Sequence, residues 1–253
     1  MLHIQPGKRV YFLSDFHLGI PDRPSSLARE HRVIAFLRTA AADAAGIFIL
    51  GDIFDFWYEY RKVVPKGYVR LLGTLASIAD EGIPIHFFVG NHDMWVRDYF
   101  QHEIGMQVHY HPIHMDMAGK RFYLGHGDGL GPGDHGYKLL KMVFRNPFCQ
   151  WAFGMIPPTL GIGLAEHFSR GSRIATGHSE DQFLGESQEW LITHCRKQLQ
   201  KEHFDYFIFG HRHLPIDYRL EERSRYVNLG DWLRYDSYAV FDGTDLTLHT
   251  QGA

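Results

Sequence analysis

One pattern constrains this chain more than any other: five times, a short apolar run ends in a tight loop carrying aspartate, asparagine or histidine. The loops are Asp15-Phe16-His17, Gly51-Asp52-Ile53-Phe54-Asp55, Gly90-Asn91-His92-Asp93, Gly125-His126-Gly127-Asp128 and Gly210-His211-Arg212-His213. The runs before them have strand length, and α/β sheets place their sites at strand ends of this kind. Glycine at the turn lets the chain reverse sharply and present the next side chain at the sheet edge.

The first half alternates these runs with helical spacing. Val10 to Leu13, Ile47 to Leu50 and Ile85 to Val89 read as strands, and Leu27 to Thr39 and Tyr68 to Ala79 as the helices between them. A β-α-β-α-β order predicts a sheet with parallel members flanked by helices. Ile113 to Met117 and Arg121 to Leu124 flank Ala118-Gly119-Lys120 and read as a hairpin. Gln188 to Gln200 reads as a helix. Phe204 to Phe209, Ile216 to Leu220, Tyr226 to Leu229, Tyr238 to Phe241 and Leu246 to Leu248 read as short strands. The expected organisation is a single α/β domain, residues 1–253, with a helical insertion or lid at about 137–185, where Gly and Pro breaks are frequent.

A chain of 253 residues buries a sizeable core, and 45% hydrophobic with 22% charged residues excludes disordered and fibrous classes. Lys+Arg 26 against Asp+Glu 29 gives a net charge of -3, which speaks against a nucleic-acid partner and hence a DNA nuclease. Cys149 and Cys195 cannot staple a domain of this size, and Met1 to Val10 lacks the apolar core of a signal peptide. Both features point to the cytoplasm. Pro147 to Ala165 lacks charge, but Gly154, Pro157, Pro158, Gly161 and Gly163 interrupt it, so no membrane crossing is expected.

Histidine is abundant, at 18, and its company with aspartate points to metal chemistry. Imidazole with carboxylate suits Mn, Fe, Co or Zn better than Ca or Mg. Two such ions, about 3.5–4 Å apart, need a bridging carboxylate, activate a water as nucleophile and attract a phosphate ester. A lone Asp-x-His or Gly-Asn-His-Asp is ordinary turn chemistry. Five such loops in one chain, all after strands, are a different matter.

Taken in order, Asp15-x-His17, Gly51-Asp52-x-x-Asp55, Gly90-Asn91-His92-Asp93, Gly125-His126 and Gly210-His211-x-His213 resemble the calcineurin-like metallophosphoesterase superfamily, from about Val10 to Asp231. The resemblance implies a β-sandwich flanked by helices, in α-β-β-α layers. It implies one metal held by Asp15, His17, Asp52 and His213, and another by Asp52, Asn91, His126 and His211, with Asp52 bridging. Asn91, His92 and Asp93 would be the catalytic group, His92 beside the scissile phosphate and Asp93 orienting it.

A narrower resemblance rests on Gly51-Asp52-Ile53-Phe54-Asp55-Phe56-Trp57, His126-Gly127-Asp128, Asp134 and Tyr137. It is to the UDP-2,3-diacylglucosamine diphosphatases of lipid A synthesis. This implies Mn as cofactor and a peripheral position on the cytoplasmic face of the inner membrane. The implied reaction hydrolyses the diphosphate of UDP-2,3-diacylglucosamine to UMP and 2,3-diacylglucosamine 1-phosphate. Asn91, His92, His211, Asp134, Tyr137, Ser172 and Arg173 would contact the substrate. The well-known branch carries Arg where this chain has His92. Arg clamps a phosphate with two bonds, whereas His donates one bond or a proton. A soluble phosphodiester or nucleotide pyrophosphate therefore stays open as the substrate. A non-catalytic scaffold would be expected to have lost ligands, and here none is missing.

Within the insertion, Phe144, Phe148, Trp151, Phe153, Met155, Ile156, Leu160, Ile162 and Leu164 crowd together, with Lys138, Lys141 and Arg145 before them and Arg170 and Arg173 after. Such a patch can hold acyl chains and rest on an anionic membrane surface. The alternative is that it fills the core of a small cap. His109, His111 and His114 alternate along a strand-like run, which favours a solvated or sheet-packed face over a third metal. His31, His86, His102, His194 and His203 read as structural or exposed, and Cys149 as a small hydrophobe. Trp57-Tyr58-Glu59-Tyr60-Arg61 either walls the site or packs as a loop.

Overall fold

The computed structural model describes residues 2–131, 135–165, 182–183, 185–186 and 188–251, with the backbone alone at 135–137. The strands are β1 (Arg9–Leu13), β2 (Ala44–Ile49), β3 (Ile85–Phe88), β4 (Gln107–His109), β5 (Ile113–Met117), β6 (Lys120–Leu124), β7 (Tyr206–Phe209), β8 (Pro215–Glu221), β9 (Ser224–Leu229), β10 (Tyr238–Phe241) and β11 (Leu246–His249). One sheet has the order β11-β10-β1-β2-β3-β4 and the other β5-β6-β7-β9-β8. β1 to β4 are mutually parallel, as the β-α-β order requires, and β10 returns antiparallel on β1. In the second sheet β6, β7 and β9 are parallel.

Alternation along the central strands places the layers. Val10 and Phe12 of β1 point between the sheets, where they meet Phe122, Leu124, Ile208 and Val227. Tyr11 and Leu13 point the other way, into a core shared with Val33 and Leu37 of α1 (Arg23–Ala41) and Leu71 and Leu75 of α2 (Val69–Asp80). On the far side, Leu191, Ile192 and Cys195 of the helix Trp190–Leu199 cover Phe207 and Phe209 of β7. The result is the expected β-sandwich flanked by helices. Phe12 sits fully buried between Phe48 and Phe122, at ring separations of 5.2 and 6.0 Å. Truncating such a side chain costs about 3–5 kcal/mol.

Two boundaries and one added strand differ most instructively from the sequence reading. α1 starts at Arg23 because Asp22 accepts the Ser25 N–H at 2.8 Å and Pro24 occupies the first turn. The β5–β6 hairpin is tighter, with Met117 paired to Lys120 across Ala118 and Gly119, both at positive φ. β4 extends the first sheet by one parallel strand that was not foreseen, its residues being few and largely polar. The described insertion comprises the helices His135–Arg145 and Pro147–Gly154, then helical residues 158–165. Among the described residues, no helix is long and apolar enough to cross a membrane.

Candidate metal centre

Because β1, β2 and β3 are parallel, the loops that follow them lie side by side, and the loops after β6 and β7 join them across the sandwich. Backbone bonds fix this meeting: Asp15 N–H to Gly51 O at 3.1 Å, His17 N–H to Asp52 O at 3.0 Å, and Gly210 N–H to His126 O at 2.9 Å. Side chains complete it. Asp15 Oδ2 accepts from the His211 N–H and Asp52 Oδ1 from the His92 N–H, both at 2.9 Å. A Cβ at Gly210 would overlap the Asp15 carboxylate, and one at Gly90 that of Asp52. These two glycines are therefore needed for space. Asp15, His17, Asp52, His211 and His213 all adopt positive φ, between 43° and 69°. Non-glycine residues avoid this region at a cost of about 1–3 kcal/mol each, and such strain collects at functional sites.

Among the described residues the side chains converge in three groups, two of them joining the sheets and a third formed by His17, Asp55 and His92. Asp15, His17 and His213 bring one ligand atom each within 4.8 Å of one another, and so do Asp52, His126 and His211. Asn91 joins the second group, its Oδ1 lying 3.1 Å from His126 Nε2. Asp52 Oδ2 stands between the groups, 3.6 Å from His17 Nε2 and 3.3 Å from His126 Nε2. Asp15 Oδ1 and Asp52 Oδ2 are both buried without a hydrogen-bond partner. A buried orphan carboxylate oxygen is costly unless a cation completes it. Two such oxygens, one in each group that joins the sheets, fit a pair of divalent metals. Burial works to raise Asp15, but the neighbouring His213 and His17 imidazoles outweigh it and hold the carboxyl at about 2. Burial is likewise overcome at Asp52, by His126 and His92. Both residues are thus ionised, the state a metal binds.

A model of the calcineurin-like phosphoesterases matches residues 8–215. The chain belongs to the calcineurin-like phosphoesterase family. The UDP-2,3-diacylglucosamine hydrolase of Porphyromonas gingivalis is 40% identical to it, over 96% of this chain and 97% of that protein. Proteins of the same name from Tolumonas auensis and Nitrosococcus oceani are 27% and 29% identical, over 95% and 89% of this chain and 96% and 88% of theirs. As a calcineurin-like phosphoesterase the chain is a hydrolase.

Around the phosphoesterase centre, further groups orient the imidazoles. His92 Nδ1 donates to the Asp55 carbonyl at 2.9 Å, which turns Nε2 toward the centre. The Asp55 carboxylate lies 3.8 Å from His17 Nδ1 and 3.6 Å from His92 Nδ1. The Asp93 carboxylate accepts from Gly90 N–H at 2.7 Å and Ile53 N–H at 2.8 Å, bracing two loops. Burial and the Asp52 charge push Asp93 up to about 8. His126 Nδ1 donates to Leu50 O at 2.7 Å. His213 Nδ1 lies 3.3 Å from Asp231 Oδ2, a fully buried carboxylate that the sequence reading missed. Gly230-Asp231 follows the apolar end of β9, so it repeats the signal that marked the other loops.

The phosphoesterase lid is anchored by the loops that carry the ligands. Tyr58 donates to Gln150 O at 2.6 Å, and Trp95 Nε1 to Phe144 O at 2.7 Å. The Trp57-to-Arg61 segment is therefore a packed support for the lid, with Trp57 itself fully buried. Lys138, Lys141 and Arg145 turn inward, to Gly131 O, to Asp128 and to Tyr110 O. Arg170 and Arg173, expected on the other side of the apolar patch, lie outside the described residues. Phe148, Trp151, Met155 and Leu160 face outward and are well exposed, and the helix Pro147–Gly154 buries none of its residues. Asp134, Ser172 and Arg173 fall outside the described residues, and of Tyr137 only its place in the helix His135–Arg145 is described. His109 packs on Phe88 and His86, and His114 pairs with Glu202 at 3.1 Å, in keeping with a non-metal role.

Proposed function

We propose that this phosphoesterase hydrolyses the diphosphate of UDP-2,3-diacylglucosamine, giving UMP and 2,3-diacylglucosamine 1-phosphate. The observation that carries the reading is the pair of buried orphan oxygens on Asp15 and Asp52, set among four histidines. The similarity to the hydrolase of Porphyromonas gingivalis, over nearly the whole of both chains, supports this choice of substrate. The exposed apolar lid supports a substrate with acyl chains.

In this reading Asp15, His17, Asp52 and His213 hold one divalent metal and Asp52, Asn91, His126 and His211 the other, with Mn the ion of choice and Fe, Co or Zn compatible. Such ions, when bound, supply a water acidified toward neutrality and positive charge against the phosphate. Asp52 would serve both ions, because its Oδ2 faces both groups. His92, fixed on the Asp55 carbonyl, presents Nε2 to the phosphate, donating a hydrogen bond or a proton. Asp93 keeps the Gly90 and Ile53 loops in register. Residues 1–253 form one domain whose insertion, at 137–185, covers the lipid. The same apolar surface rests peripherally on the cytoplasmic face of the inner membrane.

The test is mass-spectrometric product analysis with UDP-2,3-diacylglucosamine, Mn and detergent. UMP with the diacyl monophosphate is the expected result. His92 in place of Arg favours one other reading, a soluble phosphodiester or nucleotide pyrophosphate. Absence of UMP, together with metal-dependent cleavage of a generic phosphodiester, would establish that reading instead.

A further inference from the structure

Behind the second ligand group lies a cavity of about 230 Å³, lined among others by His109, Tyr110, His111, His126, Lys141 and Arg145. His126 ties it to the centre: the same ring lies 3.3 Å from Asp52 Oδ2 and 3.1 Å from Asn91 Oδ1. His126 is thus shared by the ligand group and the cavity wall, which sets the cavity next to the place for a phosphate. We propose that the cavity is the subsite for the nucleotide half of the substrate, a pyrimidine nucleoside monophosphate, recognised by Tyr110, His111 and Arg145. The proposal rests on the reading of a uridine diphosphate substrate given above.

Size and lining both select this half. At about 230 Å³ the space is far too small for a diacylated sugar and suits the compact half of the substrate. Its walls join imidazole, phenol, guanidinium and ammonium groups to the apolar Phe88, Val89, Pro112 and Leu130, the mixed lining that a base with a flat face and a polar edge requires. The apolar side chains of the lid, Phe148, Trp151 and Met155, are exposed instead of lining this cavity, so the lipid half has a separate surface.

Each wall has a distinct task. Tyr110 is fixed through its hydroxyl, which donates to Arg97 O at 2.7 Å, so its ring is a rigid platform on which a base can stack. His111 is exposed beside it and supplies a polar ring for the edge of the base. Among the described residues Arg145 is held by a long 3.4 Å bond to Tyr110 O, which a phosphate oxygen can replace with a charge-assisted one. Lys141 is held by the carboxylate and carbonyl of Asp128, and keeps positive charge at the boundary with the centre.

Calorimetric titration of the Mn-loaded protein with UMP, and in parallel with inorganic phosphate, tests the subsite. Wild type should bind UMP at least about tenfold more tightly than inorganic phosphate. His111→Ala and Arg145→Gln should each weaken UMP by about tenfold, the scale of one lost charged or polar contact, and His111→Ala, which touches only the base, should leave phosphate affinity unchanged. Equal affinity for UMP and phosphate in wild type, or variants that bind UMP as wild type does, would overturn the proposal. The titration needs no turnover. A protein that binds UMP through these residues yet releases none from UDP-2,3-diacylglucosamine would keep the subsite and discard the substrate.

Discussion

Asp15 and His211 are joined by a 2.9 Å bond from the His211 backbone N–H to Asp15 Oδ2, across 196 positions of the chain. The bond links the loop after β1 to the loop after β7, so it fastens one sheet to the other at the centre. Asp52 repeats the device with the His92 N–H. In each carboxylate one oxygen sets the backbone and the other points, unpaired and buried, at the place for a cation. Structure and metal affinity are therefore carried by different atoms of the same side chain.

Asp52 variants can separate these two roles. Asp52→Asn keeps an acceptor for His92 N–H but loses the charge that faces both ligand groups. It should remain folded, bind fewer than two Mn per chain by elemental analysis, and turn over at less than about a thousandth of the wild-type rate. Asp52→Ala should lose activity to the same degree and also destabilise the loops. Near-normal turnover in either variant would end the two-metal reading.

Asp231 reaches the centre through His213. Its Oδ1 is occupied by Leu233 and Arg234 N–H groups at 3.1 and 2.8 Å, which aims Oδ2 at His213 Nδ1. A carboxylate behind a ligating histidine fixes the ring and raises its basicity, and its loss costs about 10–100-fold in metal affinity. Asp231→Asn should weaken one of two Mn sites by that factor in a titration followed by electron paramagnetic resonance, leaving the other as it was. Two unaltered sites would show that Asp231 does no more than shape its turn.

Much of this was legible in the chain because strand ends announce themselves: an apolar run, a glycine, then a ligand. The same rule reached Asp52, Asn91, His126 and His211. It would have reached Asp231 had Gly230 been weighed alongside them. The positive φ of Asp15 and His17 was not legible, since no glycine marks either position and the strain is imposed by bonds from distant loops. β4 was hidden because its three residues carry no apolar alternation and are placed by pairing with β3. For the lid, composition was a poorer guide than spacing. Lys138, Lys141 and Arg145 recur at i, i+3 and i+7, one helical stripe, and that stripe faces the protein.

His86 makes stability depend on pH. The ring is 4% exposed, stacked on Phe48 at 4.3 Å, with Nδ1 3.0 Å from His109 Nε2. Burial, and then His109, lower its pKa from 6.5 to about 4. The folded chain therefore binds this proton less readily than the unfolded chain. Its contribution is fully present above pH 6.5 and is lost progressively as pH falls toward about 4, by up to about 3 kcal/mol. Urea unfolding at pH 7 and pH 5 should show the loss, and His86→Phe should remove most of the difference. An equally steep pH dependence in that variant would place the sensitive group elsewhere.

Trp151 tests where the lipid meets the lid. It is 59% exposed on a helix that buries none of its residues, between Phe148 and Met155, each 70% exposed. Substitution at such a position changes folding stability by only about 0.5 kcal/mol. Burying an aromatic side chain of this size in lipid is worth about 2–3 kcal/mol, and a carboxylate in its place adds a desolvation cost. Trp151→Glu should therefore unfold at the wild-type temperature yet sediment with phospholipid vesicles at least about thirtyfold less well. Hydrolysis of a water-soluble, short-chain substrate should be unaffected, because Trp151 lies outside both ligand groups. Unchanged sedimentation would mean that the exposed face of this helix is not the surface that meets the membrane.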